Sequence, residues 1–78
     1  MNVEKAINPS YFINSLVKNK ILVKLKWNVN YKGILVSFDK YFNICLYDTE
    51  EWINNKKVGY IGETLIRCNN VLYVAKIE

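Results

Sequence analysis

From Ile21 to Trp27 of this 78-residue chain apolar residues stand at every second position, and short polar turns beyond divide the rest into four more apolar-rich pieces. A repeat of two is the repeat of a strand with one face to bury, and it cannot wrap a helix. Ile21, Val23, Leu25 and Trp27 alternate with Leu22, Lys24 and Lys26, which predicts a first strand over about 20–27. Asn28-Val29-Asn30 reads as a hairpin turn, because Asn tolerates left-handed backbone angles. Further strands are expected over about 30–38, 42–50, 57–67 and 71–76, with turns at Asn54-Asn55 and Cys68-Asn69-Asn70. Gly33, Gly59 and Gly62 stand inside strands, where a glycine weakens pairing but permits a sharp bend.

Ahead of the strands the period changes. Asn8 suits a helix cap and Pro9 suits the first helical position, where no backbone donor is required. Ile7 and Phe12 are spaced for a hydrophobic staple. Phe12 with Leu16, and Ile13 with Val17, lie one turn apart, so a helix over about 9–17 would lay an apolar stripe on the sheet. The fold class that follows is mainly β: an N-terminal helix, then a five-stranded, strongly bent antiparallel sheet curling into an open barrel, as one domain spanning 1–78. A chain this short buries only about 60–65% of its unfolded surface, so its own stability is marginal.

A five-stranded barrel of such short strands stays open at one seam, and its last strands offer unpaired backbone groups to another chain. Thr64-Leu65-Ile66 and Val71-Leu72-Tyr73-Val74 are apolar and carry no charge that would discourage pairing before Lys76. The expectation is that subunits add strand to strand, head to tail, an arrangement that closes into a ring when the rotation per subunit allows it.

Two loops carry the chemistry. Asp39-Lys40-Tyr41-Phe42-Asn43 and Ile66-Arg67-Cys68-Asn69-Asn70 each set a cation or an aromatic beside a carboxamide. Flat groups stack an unpaired base while an amide reads its edge, so single-stranded RNA binding is the leading reading. A net charge of +4 and a pI near 9.1 favour a polyanionic partner, modestly. The chain has no histidine, the commonest general base and metal ligand. Cys45 and Cys68 are too few and too far apart for a tetrahedral metal site. No cofactor, no metal, no small-molecule substrate and no catalysis are therefore expected. A secretory leader and an apolar run of the ~20 residues a membrane span needs are both lacking. Both thiols are then expected free, in the reducing cytosol or nucleus.

These residues resemble the Sm and Sm-like proteins over essentially the whole length. The first motif of that family is matched by Gly33, Asp39, Tyr41 and Asn43, and the second by Ile66-Arg67-Cys68-Asn69-Asn70. Either motif alone would be weak; two in order, after a capped helix, are specific. Val23-Lys24-Leu25-Lys26-Trp27, Tyr31-Lys32-Gly33 and Cys68 narrow the resemblance to one branch of the family. The resemblance implies the Sm fold, an SH3-like barrel, assembled as a heteroheptameric ring around the uridine-rich Sm site of spliceosomal small nuclear RNAs. It implies snRNP assembly and pre-mRNA splicing, other Sm proteins as partners, the E and G proteins especially, and residence in the nucleus with a cytoplasmic assembly phase. Carried over by position, Tyr41 is the stacking aromatic, Asn43 the base-reading amide, Arg67 the cover on the other face of the base and Asn69 the supporting amide. Asp39 matches a carboxylate that organises the first loop. Lys40 stands where the family usually has glycine, and Asn28 replaces a turn glycine.

Each of these residues has a plainer reading. Tyr41 by itself is an ordinary strand aromatic, Asn43 a turn residue, Arg67 a solvated charge and Asn69-Asn70 a tight turn. Cys68 reads as small neutral packing, with no base nearby to activate a thiol. Lys24, Lys26 and Lys32 form either a basic face or the wet side of two strands. Glu50 and Glu51 are sequence neighbours on a strand, so they point to opposite faces and do not make a carboxylate pair. The alternatives carried forward are a Sm-like ring acting on U6 RNA or in messenger decay, and a barrel that only bridges proteins.

Overall fold

The computed structural model describes residues 9–77. The Asn8 cap and the Ile7 staple lie outside the described residues. Helix α1 spans Pro9–Ser15 and is followed by strands β1 (Lys20–Leu25), β2 (Val29–Phe38), β3 (Ile44–Ile53), β4 (Lys56–Ile66) and β5 (Val71–Lys76). Single turns of 3-10 helix, Lys26–Asn28 and Cys68–Asn70, lie between β1 and β2 and between β4 and β5.

Helix α1 is two residues shorter than the spacing predicts. Its end tightens: Leu16 N–H donates to the Ile13 carbonyl and Val17 N–H to that of Asn14, and Lys18 turns left-handed to start β1. Ile13 of the helix and Leu16 in the turn that follows it are buried, while Phe12 is exposed. Both join Ile21, Val23, Leu25, Leu35, Ile44, Leu46 and Ile66 in one core. Alternation along β1 is as its sequence dictates, with Ile21, Val23 and Leu25 inside.

The strands form one antiparallel sheet in the order β4-β3-β2-β1-β5. Strands β2 and β3 approach closely where Gly33 meets Thr49. A Cβ on Gly33 would sit 2.9 Å from Thr49 Oγ1, 3.0 Å from the Tyr47 carbonyl oxygen and 3.2 Å from Thr49 Cα, so β3 crosses β2 at a distance only glycine allows. The β2–β3 register shifts between Lys32 and Ile34, and Asp48 and Gly62 take positive φ values of 56° and 83°. These irregularities bend the outer strands over the core.

Two expectations need correction. First, β1 stops at Leu25 rather than 27, and Trp27 is not on the inner face: it has φ 65° in the following turn and is 80% exposed. Trp27 and Asn28 occupy the hairpin, so the turn comes two residues early and Asn30 lies buried in β2. Second, β3 begins at Ile44 rather than 42, because Phe42 has φ 64° and cannot extend the ladder. It then runs to Ile53, where Asn54 and Asn55, both left-handed, make the next hairpin. Lys24 and Lys32 project from the outer side of β1 and β2, where Lys24 Nζ donates to Asn28 Oδ1 and Lys32 Nζ lies 3.7 Å from the Trp52 ring centre, as on the wet side of two strands.

Glu50 and Glu51 go to different partners: Glu50 accepts from Trp52 Nε1 and Lys57 Nζ, Glu51 from the Tyr31 hydroxyl. Strands β4 and β5 are the two ends of the sheet. Along them Val58, Tyr60, Ile61, Leu65, Leu72 and Tyr73 stand exposed.

Candidate nucleic-acid interface

The β2–β3 loop is organised by one carboxylate. Asp39 Oδ1 accepts from the backbone N–H groups of Tyr41 (2.9 Å) and Asn43 (3.0 Å), and Oδ2 accepts from Asn43 Nδ2 (2.9 Å). The Phe42 N–H donates to the Asp39 carbonyl, and the Asp39 N–H to the Asn43 carbonyl, closing the turn. The Asn43 side-chain amide, then the two backbone donors and Lys40 nearby, hold the Asp39 carboxyl below its ordinary range. Lys40 follows Asp39 without a positive φ, so a side chain in place of glycine does not disturb this backbone. Its ammonium lies 5.2 Å from the Tyr41 ring centre.

The second loop reaches the first through a backbone group. The Cys68 N–H donates to Asn43 Oδ1 at 3.0 Å. This places the residues on either side of Cys68, Arg67 and Asn69, at the junction with Asp39–Asn43. Asn70 N–H donates to the Arg67 carbonyl, so Asn70 closes the turn. Tyr41 is 63% exposed, and Arg67 and Asn69 are exposed as well. Arg67 also borders a recess of about 280 Å³ shared with Leu25, Tyr31, Thr64, Leu65, Ile66 and Asn70. On the other side of the Cys68 turn, an apolar cleft of about 250 Å³ is lined by Phe12, Ile13, Phe42, Ile44, Cys68, Val71 and Val74.

The two contacts of Asn43 determine which way its amide points. A carboxylate only accepts and a backbone N–H only donates, so the atom facing Asp39 is Nδ2 and the atom facing Cys68 is Oδ1. Each keeps capacity for one more hydrogen bond, a donor and an acceptor side by side. Sequence reasoning found Asn43 but missed the Cys68 N–H, because a backbone donor has no residue-type signature. The Cys68 thiol, the more conspicuous group in the sequence, plays no part in this junction.

A family model described as the LSM domain matches residues 11–76. The chain belongs to the LSM domain family. Among its relatives, the probable small nuclear ribonucleoprotein F of Arabidopsis thaliana is 53% identical over 87% of this chain and 77% of that protein. The LSM complex subunit lsm6 of Schizosaccharomyces pombe is 44% identical over 91% of this chain and 95% of its own. The F type is the branch that Val23–Trp27, Tyr31-Lys32-Gly33 and Cys68 resemble. Among solved structures, a Pyrococcus abyssi Sm protein in complex with a uridine heptamer superposes with a TM-score of 0.86, at 28% identity, over 91% of this chain and all of that one. A heptameric archaeal Sm protein gives 0.79 at 31% identity, over 87% of this chain and 98% of its own. With its helix and five-stranded open sheet, this LSM domain therefore has the Sm fold.

Proposed function

We propose that this LSM domain is the F-type RNA-binding subunit of a heteroheptameric Sm ring. The ring encircles the uridine-rich single-stranded Sm site of spliceosomal small nuclear RNAs and serves snRNP assembly and pre-mRNA splicing. The observation that carries this reading is the double anchoring of Asn43 by Asp39 and the Cys68 N–H. An amide held in one orientation offers its remaining donor and acceptor to a uracil imide edge, whereas cytosine in the same pose needs the two reversed. Tyr41 stacks on one face of the base, Arg67 covers the other, and Asn69 supports the second loop. Such binding needs neither cofactor nor catalytic group, so the subunit is a binder and not an enzyme.

The exposed borders β4 and β5 receive neighbouring subunits by strand addition, with the E and G proteins as the adjoining partners. Ring closure turns several weak pockets into one tight, salt-sensitive complex. The chain acts in the nucleus after an assembly phase in the cytoplasm. The F branch is preferred to the lsm6 type because it accounts for Trp27 and Cys68 together with the higher identity.

Photocrosslinking of a uridine-containing oligonucleotide to the assembled ring tests the proposal. Tyr41→Ala and Asn43→Ala should each remove the crosslink from this subunit while the ring stays intact. An undiminished crosslink in both would leave a barrel that only bridges proteins. Arg67→Ala should also lower the salt slope of binding if its guanidinium meets a phosphate.

A further inference from the structure

The β1–β2 turn holds a large aromatic where a hairpin ordinarily places Asn or Gly. Trp27 has φ 65° and ψ 27°, and Asn28 has φ 60°, so both central residues are left-handed. That geometry favours Asn-Gly, and a residue with a Cβ takes it at a conformational cost. Here the cost is borne by a tryptophan that packs on almost nothing, being the most exposed of the large apolar side chains among the described residues. A strained residue held in solvent is a reason to look for a ligand.

The turn is firmly seated. Asn28 Nδ2 donates to Asn54 Oδ1 at 2.6 Å, which ties it to the β3–β4 hairpin, and Lys24 Nζ holds Asn28 Oδ1 at 3.2 Å. The joined turns are basic: Lys26 and Lys56 are exposed, and no Asp or Glu occurs in residues 24–33 or 52–62. An exposed indole alone would suit a protein or a nucleic acid, but Lys26 and Lys56, which bridge no carboxylate among the described residues while Lys57 is held by Glu50, suit a polyanion carrying flat rings. The place is also continuous with the proposed pocket. Leu25, just before the turn, pairs with Val71 of β5 and shares a recess with Arg67 and Asn70.

We infer that the β1–β2 turn is a second RNA contact, in which Trp27 stacks an unpaired base flanking the nucleotide held at Asn43, while Lys26 and Lys56 meet the adjoining phosphates. This rests on the single-stranded RNA function proposed above and extends it beyond the two motif loops.

The test compares rings assembled with the full chain on two probes: a uridine heptamer, and the same heptamer carrying a few unpaired nucleotides on both sides. Stacking on an aromatic predicts that Trp27→Ala weakens binding of the longer probe by about 5–150-fold and leaves the heptamer unchanged. Trp27→Phe should retain most of the affinity. Replacing Lys26 and Lys56 with Gln should lower the salt slope on the longer probe by roughly 0.7 for each phosphate that a lysine neutralises. Equal affinities of wild type and Trp27→Ala for the longer probe would overturn the inference, as would a defect confined to ring assembly. Tyr41→Ala separates the two readings: it should weaken both probes. A Tyr41→Ala ring that binds the heptamer normally, yet still needs Trp27 for the longer probe, would remove the pocket and keep the turn.

Discussion

Asn43 and Asp39 are joined three times, by the Asn43 backbone N–H on Oδ1, by its side-chain Nδ2 on Oδ2 and by the Asp39 N–H on the Asn43 carbonyl. One residue thus supplies both the end of the loop and the group read as its base contact. Asp39→Ala removes three accepted hydrogen bonds and leaves the Asn43 amide oriented by the Cys68 N–H alone. The expected outcome is weaker RNA binding and a narrowed preference for uridine over cytidine, with Asn43 itself untouched. Competition between the two homopolymers on wild-type and variant rings measures it, and an unaltered preference would show that something other than Asp39 orients the amide.

The acid limb of stability follows from two carboxylates. Asp39 and Glu50 both titrate below their ordinary values of 3.8 and 4.5, Asp39 chiefly through the Asn43 amide and Glu50 through Trp52 Nε1 and Lys57. A folded pKa below the unfolded one means that the charged form is favoured by folding. The stabilisation is complete above the unfolded pKa and fades as pH falls through the folded one. Thermal unfolding followed from pH 7 downward should therefore hold steady until about the ordinary carboxylate range and then decline. Glu50→Gln should flatten part of that decline.

At high pH the sign reverses. Tyr31 is raised above 10.0 by burial and then by Glu51, and Tyr60 by its hydrogen bond to Asp48. Folding favours the neutral phenols, so their contribution is intact below 10.0 and lost as pH climbs through the raised values. Tyrosinate absorbance at alkaline pH should show at least one phenol titrating late in the folded chain and at the ordinary position after denaturation.

Gly33→Ala places a methyl against the β3 backbone at Tyr47 and Thr49. Backbone atoms cannot step aside, so the variant should lose about 1–3 kcal/mol, the usual scale of overpacking. Chemical denaturation of the variant measures the loss. Adding Thr49→Ala should restore only part of it, because the clashes with the Tyr47 carbonyl and Thr49 Cα remain. Gly59→Ala, where a Cβ meets nothing within 4 Å, is the internal control and should be near neutral.

The open borders give a concentration-dependent prediction. Isolated chain should self-associate through β4 and β5, where Ile61 and Leu72 are exposed on an apolar edge. A lysine at either position, Ile61→Lys or Leu72→Lys, should shift light scattering toward monomer and also weaken assembly with other subunits. Wild-type chain that remains monodisperse and monomeric at high concentration would contradict the strand-addition mechanism.

Much of the fold and the site was legible in the residues alone. The two-residue repeat of Ile21, Val23 and Leu25 requires a strand with one buried face, and the polar turns mark off five strands, although they do not say that β5 pairs with β1 and not with β4. The two motif loops announce themselves by composition, since a stacking aromatic, a guanidinium and an amide are side-chain properties. What the one-dimensional pattern could not carry is where a pattern stops. Trp27 continues the apolar alternation of β1 yet leaves the sheet, because a left-handed turn at 27–28 is decided by pairing Val29 with Ile53 and Asn28 with Asn54. Likewise the Cys68 N–H becomes a partner of Asn43 only when β3 pairs with β4 in the register that sets Ile44 opposite Ile66, which brings residues 25 apart in sequence within 3.0 Å. Side-chain chemistry belongs to the sequence; the meeting of a backbone donor with a distant amide belongs to the folded sheet, because a cross-strand register exists only once the strands have paired.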